Sequence, residues 1–308
     1  MNLKNFKGYL QSAIVIIVLF FFIRYVYKNW SLVSQFHWEF NYFWLLFSLF
    51  LVFTNFMIML QIWRKLLALL ERSLGFRKAF KIWFYSSLGK YVPGKLWSVL
   101  GMVYMCEKEG ISRTTSLTSA ILNQALNIIG GLFLVVLLSG TKFFGSVPKI
   151  LYLPIVLIFV FFLYPPVMER VLNFGLKWLK KEQIKFELSF GQTLLFTLFF
   201  MLTWVLYGLA FNLFIKSLTD CSLRLLPFLT SAFAFSYIVG FLSVFVPGGL
   251  GVREGVLILS LSTYFPVPVA TLVALLSRLW MTAAELLGLT VSVSFGFFER
   301  GPKEQNSF

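Results

Sequence analysis

Long, uninterrupted apolar runs constrain this chain more than any other feature of its sequence. A helix needs about 20 apolar residues to cross a bilayer. Six runs approach or exceed that length, at roughly 9–27, 41–63, 114–139, 148–165, 190–215 and 268–297. They are continuous, whereas the strands of a membrane β-barrel alternate in hydrophobicity. The sequence therefore predicts an all-α polytopic membrane protein, with one integral membrane domain over residues 1–308.

The basic residues predict how these spans are oriented. If the six runs alternate, seventeen Lys and Arg residues fall on the side of the two termini and six on the other side. Cytoplasmic loops are usually enriched in Lys and Arg, so both termini are predicted to lie on the cytoplasmic side of a cell membrane. The net charge of +15 fits this bias, and no nucleic-acid-binding motif accompanies it. Segment 166–186, which carries five of these cations, is predicted to be an amphipathic helix on the inner surface.

Two regions, about 79–107 and about 226–265, do not fit a single uninterrupted transmembrane helix. In the first, each apolar arm is only about ten residues, which is about 15 Å of helix and half of the bilayer core. We therefore predict a broken, re-entrant helical hairpin that enters and leaves on one side, with "KYVPGK" at its tip. The arms of the second region are longer, so the sequence leaves open whether that region is re-entrant or crosses completely.

The two broken regions are related in sequence. Tyr91–Gly101 aligns with Phe245–Gly255 without gaps, at an offset of 154 residues (247 − 93), which is half of 308. The same offset places the second run over the fifth and the third over the sixth. Because the first hairpin opens from the cytoplasm and the second from the outside, the halves, about 1–140 and 148–300, are predicted to be inverted repeats. Paired broken segments in two inverted halves indicate the binding site of a transporter.

The predicted tips contain the residues that a sharp reversal of the backbone needs. Glycine permits the reversal, and proline lacks the N–H donor that a broken helix would leave unpaired. These tip residues are Pro93, Gly94, Pro247, Gly248, Gly249 and Gly251. Backbone groups freed at membrane depth need protein or water around them, so we expect the tips to face a cavity. The alternative is that both stretches are plain loops at the membrane surface.

Ionisable residues at membrane depth are costly, and each is therefore a candidate for function. They are Lys90, Lys95, Arg253, Glu254, Arg278 and Glu285. One interpretation is a cationic crevice for a phosphate headgroup, which Arg grips with two bonds and Lys as a point charge. The other interpretation is internal pairing between the arginines and the glutamates, which would only lock helices together.

Arg253 and Glu254 are adjacent, so on a helix their side chains diverge by about 100° and are poorly placed to pair with each other. We therefore predict that Arg253 faces the headgroup. Glu254 is predicted to face a partner cation, for which the candidates are Lys90, Lys95 and Arg278.

Three polar residues share one face of the third run. Asn123, Gln124 and Asn127 either line the same cavity or bond neighbouring helices. The two cysteines are 115 residues apart (221 − 106), and the chain shows no metal-ligand spacing. Neither a metal nor another cofactor is predicted.

The quoted motifs resemble those of a known family. "GKYVPGKLW", followed half a chain later by "VPGGLGVREG", is similar to the lysylphosphatidylglycerol synthase transmembrane-region family, the flippase-like domain of the bacterial multiple peptide resistance factor. This resemblance implies movement of a lipid between leaflets. The lipid is aminoacylated phosphatidylglycerol in the resistance factor, and polyprenyl-phosphate-linked sugars are suspected for members that accompany glycosyltransferases. The chain lacks the soluble aminoacyl-transferase domain, so we expect a stand-alone member without synthase activity.

Three functions compete at this stage. The first is a flippase for a lipid with an anionic phosphate headgroup, not an enzyme, with a lipid-modifying enzyme or glycosyltransferase as candidate partner and a homo-oligomer compatible with the sequence. The second is a small-solute or ion-coupled secondary transporter with the same inverted plan. The third, a membrane-embedded lipid-linked transferase, is the weakest, because one aspartate and one histidine leave acid–base and metal chemistry short of side chains.

Overall fold

The computed structural model describes residues 24, 27, 30–36, 38–91, 97–144, 152–178, 183–243 and 249–299. Within these ranges the secondary structure is helical, without β-strands. Nearly all of the predicted first span, 9–27, lies outside them, as do the candidate ligand Lys95 and four predicted tip residues, Pro93, Gly94, Pro247 and Gly248.

The described ranges contain eleven α-helices. They are α1 (Trp30–Gln35), α2 (Tyr42–Leu70), α3 (Phe76–Ser87), α4 (Trp97–Lys108), α5 (Arg113–Phe144), α6 (Tyr152–Phe162), α7 (Pro165–Trp178), α8 (Phe190–Lys216), α9 (Leu226–Leu242), α10 (Val252–Leu261) and α11 (Val267–Glu299). Five stretches are long and apolar enough to cross a membrane, Tyr42–Leu70, Arg113–Leu138, Phe190–Lys216, Leu223–Leu242 and Val267–Ser294. The chain is therefore a polytopic helical membrane protein, as the sequence predicts.

Four predicted spans coincide with long helices, since 41–63, 114–139, 190–215 and 268–297 correspond to α2, α5, α8 and α11. Local capping explains where two of them begin. The Asn41 side chain accepts a hydrogen bond from the Trp44 N–H at the start of α2. At the start of α8, Ser189 and Gln192 each bond the backbone of the other and form a capping box.

The fourth predicted span, 148–165, is not one straight helix. α6 ends at Phe162, and Pro165 opens α7 after a bend of 77°. Proline suits the first turn of a helix because its missing N–H would find no helical partner there. The predicted surface helix 166–186 is also too long. α7 ends at Trp178 and residues 183–189 are not helical, because Asn173 holds Ile184 through two hydrogen bonds of 2.8 Å.

Two helical hairpins are present where the sequence predicts broken regions. Hairpin 1 consists of α3 and α4, which have 12 residues each and are therefore about 18 Å long. Hairpin 2 consists of α9 and α10, with 17 and 10 residues. At about 15 Å, α10 is half as long as the bilayer core is thick. By length, α10 is too short for a complete crossing, whereas the stretch Leu223–Leu242, which contains α9, is long enough for one.

The contacts between helices follow the 154-residue offset. That offset exchanges α2 with α8, α3 with α9, α4 with α10 and α5 with α11. When each helix of a packed pair is replaced by its partner at this offset, the resulting pair is also packed. For example, α5 packs on α9 and α11 packs on α3, while α2 and α8, which replace each other, pack together. The packing is consistent with two inverted repeats.

Glycines allow two of the closest helix contacts. A Cβ at Gly288 in α11 would overlap the ring of Phe84 in hairpin 1, and one at Gly208 in α8 would overlap Thr230 in hairpin 2. Small residues take this role in membranes, because helices associate there through close packing rather than through a hydrophobic drive. Each hairpin is therefore seated on a long span by steric fit.

Candidate substrate site beside the second hairpin

The short arm of hairpin 2 begins with tightly turned backbone. Gly249 and Gly251 have φ angles of +65° and +82°, in the region that favours glycine. Gly249 also packs so closely on the backbone of Gly240 in α9 that it leaves no room for a Cβ. α10 starts directly after this turn, so its first residues are held at a fixed position against α9.

Both oxygens of the Glu254 carboxylate accept hydrogen bonds. Oε2 accepts from the Gly251 N–H at 2.6 Å, and Oε1 accepts from the Nε–H of Arg278, also at 2.6 Å. The side chain of Glu254 is only 3% exposed and that of Arg278 is 24% exposed. The ion pair therefore joins the start of α10 to the long span α11, largely out of contact with solvent. Of the cations that the sequence offers for Glu254, the structure brings Arg278 to it.

Arg253, the neighbouring residue, lies against aromatic rings. Its guanidinium carbon is 4.9 Å from the ring centre of Phe233 and 5.8 Å from that of Tyr237, both on α9. The residue is 6% exposed, and its Nη2 has no hydrogen-bond partner among the described residues. Cation–π attraction offsets part of the cost of burying this charge, but it does not satisfy the N–H donors. Arg253 can therefore still donate to an anionic acceptor.

Tyr237 of α9 lies near four of the predicted site residues. Gln124 of α5 lies beside its hydroxyl, and Arg253, Arg278 and Glu285 are within electrostatic range of it. Glu285 is buried, at 7% exposed, two turns along α11 from Arg278. The structure thus gathers residues from α5, α9, α10 and α11 into one buried polar cluster.

The other polar residues of α5 have different surroundings. The main-chain carbonyl of Asn127 accepts a hydrogen bond of 2.9 Å from the Trp204 indole, which is a contact between α5 and α8. Asn123 is 8% exposed, and its Oδ1 has no partner in the described part of the chain. The backbone of Lys90 lies in the short 3₁₀ turn Leu88–Tyr91 at the end of the first arm of hairpin 1, and its side chain is outside the described part of the chain.

Two members of the cluster were missed by sequence reasoning. Asn55 of α2 is fully buried and its side chain interacts with the Tyr207 hydroxyl, although neither amide atom has a close hydrogen-bond partner among the described residues. Tyr207 itself donates to the Met59 sulfur at 3.8 Å, a weak acceptor. An asparagine inside the apolar run "VFTNFMIML" is a signal that could have identified Asn55. Nothing in the pattern around Tyr207 distinguishes it from the many aromatic residues of this chain.

A known protein family matches the part of the chain that contains this cluster. The family model described as the lysylphosphatidylglycerol synthase TM region matches residues 9–287. The chain belongs to this family. The match includes both hairpins and all the charged residues around Tyr237, so the cluster lies within the membrane region that defines the lysylphosphatidylglycerol synthase TM family. Neither the comparison with curated proteins nor the one with solved structures gives a match.

In this family member the cluster offers charge and hydrogen bonds at membrane depth. No group of three His, Cys, Asp or Glu side chains in the described residues is placed to hold a metal. What the cluster supplies is one unsatisfied guanidinium donor, a second arginine paired with a carboxylate, and neutral amides and hydroxyls. Such a set can bind an anion and the polar group attached to it.

Proposed function

We propose that this protein moves a lipid with an anionic phosphate headgroup between the two leaflets of a membrane. The observation that carries the proposal is the buried guanidinium of Arg253, whose Nη2 is without a partner among the described residues. A buried charge is expensive unless its donors are used. Phosphate oxygens are the acceptors that a guanidinium fits best, because two parallel N–H groups can bind two of them.

The position of Arg253 supports movement through the membrane rather than binding at its surface. Arg253 follows the break between the arms of hairpin 2, and the sequence predicts Lys90 and Lys95 at the corresponding tip in the first half. We place the two tips at the bilayer centre, approached from opposite sides, with both termini in the cytoplasm. The exchange symmetry of the helix contacts and the seventeen-to-six distribution of basic residues support this arrangement.

The family supplies the candidate cargo. Its name points to lysylphosphatidylglycerol, so an aminoacylated phosphatidylglycerol is one candidate, and a polyprenyl-phosphate-linked sugar is the other. The protein in this proposal performs no covalent chemistry. A lipid-modifying enzyme or a glycosyltransferase would make the lipid, and the protein would carry it across.

The test is a translocation assay in proteoliposomes with labelled anionic, zwitterionic and cationic lipids. Lys90→Ala and Lys95→Ala should each weaken translocation by about 1–3 kcal/mol at limiting substrate, the scale of a charge-assisted hydrogen bond. Lys78→Ala is the matched control, because this exposed cation lies at the open end of hairpin 1. The proposal fails if the parent moves no phosphate lipid, or if both tip variants translocate like the parent. Transport of water-soluble phosphate esters in place of lipids would favour a small-solute transporter.

The opposed orientation of the tips has its own test. Single cysteines at Ser98 and Ser243 can be labelled in a chain from which the free cysteines Cys106 and Cys221 have been removed. Labelling of the two sites from opposite faces supports the inverted arrangement, and labelling of both from the same face alone rules it out.

A further inference from the structure

One side of α7 carries large apolar side chains that the described residues leave exposed. Val171, Phe174 and Trp178 are three and four residues apart, so they lie on one side of the helix, and we call them the apolar strip. Phe174 is 77% exposed and Trp178 is 82% exposed. Met168, on another side of α7, is buried against the protein. The apolar strip is therefore a surface that α7 presents to its surroundings.

Two exposed cations border the apolar strip. Arg170 and Lys177 are seven residues apart, so they share one side of the helix. Phe174 lies four residues after Arg170 and three before Lys177, at the spacings of neighbours on a helix surface. Segment 166–186 around them contains five Lys or Arg residues and two Glu residues. An apolar strip beside a basic one is typical of helices that lie between the acyl chains and the headgroups of a membrane.

The bend before α7 turns this helix towards the membrane plane. α6 is an apolar helix of 11 residues, and α7 leaves it at an angle of 77°. A helix at this angle to a span along the bilayer normal runs 13° from the membrane plane (90 − 77). The other arrangement, in which α7 is the second half of a broken span, is disfavoured. It would put Glu169, Arg170 and Lys177 into the hydrocarbon core at a high cost.

We propose that α7 is a docking surface for the anionic lipids of the leaflet that it faces, with the apolar strip among the acyl chains and Arg170 and Lys177 at the phosphates. Charge complementarity selects this occupant, because cytoplasmic leaflets carry anionic lipids that attract basic segments. The seventeen-to-six distribution of basic residues predicts α7 on that side of the membrane. Long cationic side chains can reach the headgroups from a helix at this depth. None of these residues belongs to the polar cluster around Tyr237, so the docking surface does not depend on the proposed cargo.

Insertion of the apolar strip is tested with a bimane fluorophore on a single cysteine, Phe174→Cys or Trp178→Cys, in the full chain without the free cysteines Cys106 and Cys221. The protein is reconstituted in nanodiscs of phosphatidylcholine and phosphatidylserine, and one of the two lipids at a time is brominated near the glycerol. Brominated lipid should quench both labels and water-soluble iodide should not, because an interfacial helix buries its apolar face about 5–10 Å deep. Glu187→Cys, at an exposed residue of the non-helical segment after α7, is the water-facing control and should show the reverse.

The role of the two cations is tested through the lipid preference of the Phe174→Cys label. Brominated phosphatidylserine should quench it more strongly than brominated phosphatidylcholine at the same lipid composition. Arg170→Gln/Lys177→Gln should reduce this preference by about fivefold, the scale of one basic residue near an anionic surface. Arg24→Gln/Arg224→Gln is the matched control. It removes the same charge from exposed residues outside α7 and should leave the preference unchanged.

Quenching of both α7 labels by iodide and not by brominated lipid would overturn the inference, because the apolar strip would then face water and suit a soluble protein partner. Equal quenching by the two brominated lipids would overturn it as well, since α7 would then rest in the membrane without selecting anionic lipid. So would a preference that persists in Arg170→Gln/Lys177→Gln, because cations elsewhere would then attract the phosphatidylserine. These measurements do not involve translocation, so the docking surface and the proposed function can fail independently.

Discussion

Hairpin 1 and hairpin 2 each consist of two packed short helices, but their ion pairs lie at opposite ends of the hairpin. The Lys78–Glu109 ion pair of hairpin 1 lies at its open end, where Lys78 Nζ is 2.6 Å from Glu109 Oε2. In hairpin 2 the Glu254–Arg278 pair lies directly after the tip. The Lys78 side chain is 56% exposed, whereas that of Glu254 is 3% exposed.

Burial decides how much each pair matters. An exposed ion pair contributes about 0–1 kcal/mol, because water solvates both charges nearly as well as they solvate each other. Removing one member of a buried pair typically costs about 3–5 kcal/mol, because the other charge stays behind unpaired. The two hairpins therefore differ in how their ion pairs contribute to stability. The exposed pair of hairpin 1 contributes little, whereas the buried pair of hairpin 2 fixes α10 to α11.

The largest effect is expected for Glu254→Gln. This change removes the carboxylate that accepts the Arg278 Nε–H and should lower the free energy of unfolding by about 3–5 kcal/mol, as well as slowing transport. Chemical unfolding in detergent measures the loss. The double variant Glu254→Gln/Arg278→Met should recover part of it, because the cation of the pair is then removed together with its carboxylate. Losses from the two single changes that simply add would show that the pair does not lock hairpin 2.

A smaller loss of stability is expected for Gly288→Ala, at the close contact between hairpin 1 and α11. Gly288→Ala places a methyl group where the Phe84 ring lies and should cost about 1–3 kcal/mol of stability. Gly255→Ala in hairpin 2 is the control, since a Cβ there meets nothing within 4 Å. Thermal unfolding of the two variants gives the comparison. Equal melting temperatures would mean that Phe84 moves aside freely and that hairpin 1 is not seated by this contact.

Arg253→Lys separates transport from stability in hairpin 2. Lysine keeps the positive charge but loses the planar fork that binds two phosphate oxygens, so translocation should weaken by about 1–2 kcal/mol. The melting temperature should change little, because Arg253 forms no ion pair with a carboxylate of the described residues and lysine retains a cation–π contact with Phe233. The translocation assay and thermal unfolding are run on the same preparation. A variant that transports like the parent would exclude Arg253 as the phosphate ligand.

The smallest change in stability is expected for the exposed Lys78–Glu109 pair at the open end of hairpin 1. Lys78→Ala should reduce the free energy of unfolding by at most about 1 kcal/mol, and 0.5 M salt should remove most of the difference. Unfolding at two salt concentrations measures it. A salt-independent loss as large as that of Glu254→Gln would remove the distinction between the two hairpins.

The sequence predicted most of the helices, because the lengths of apolar runs and the positions of Pro, Gly and charge are local properties. It placed α2, α5, α8 and α11 and both broken hairpins. It misplaced the end of α7, because the two hydrogen bonds between Asn173 and Ile184 depend on a folded-back segment and not on local pattern. The sequence also left open whether the second broken region is re-entrant or crosses completely, because the lengths of its apolar arms allow both.

The sequence by itself determined which residues carry charge at membrane depth, and only the tertiary structure decided what each of them contacts. The seven-residue spacing of Arg278 and Glu285 puts both on one face of a helix, but it does not show that Glu254, 24 residues before Arg278, accepts the hydrogen bond from Arg278. Nor could it place Arg253 on the rings of Phe233 and Tyr237. Periodicity reports which face of a helix a residue occupies, whereas partners across helices depend on packing angles and side-chain directions that arise only when the helices come together.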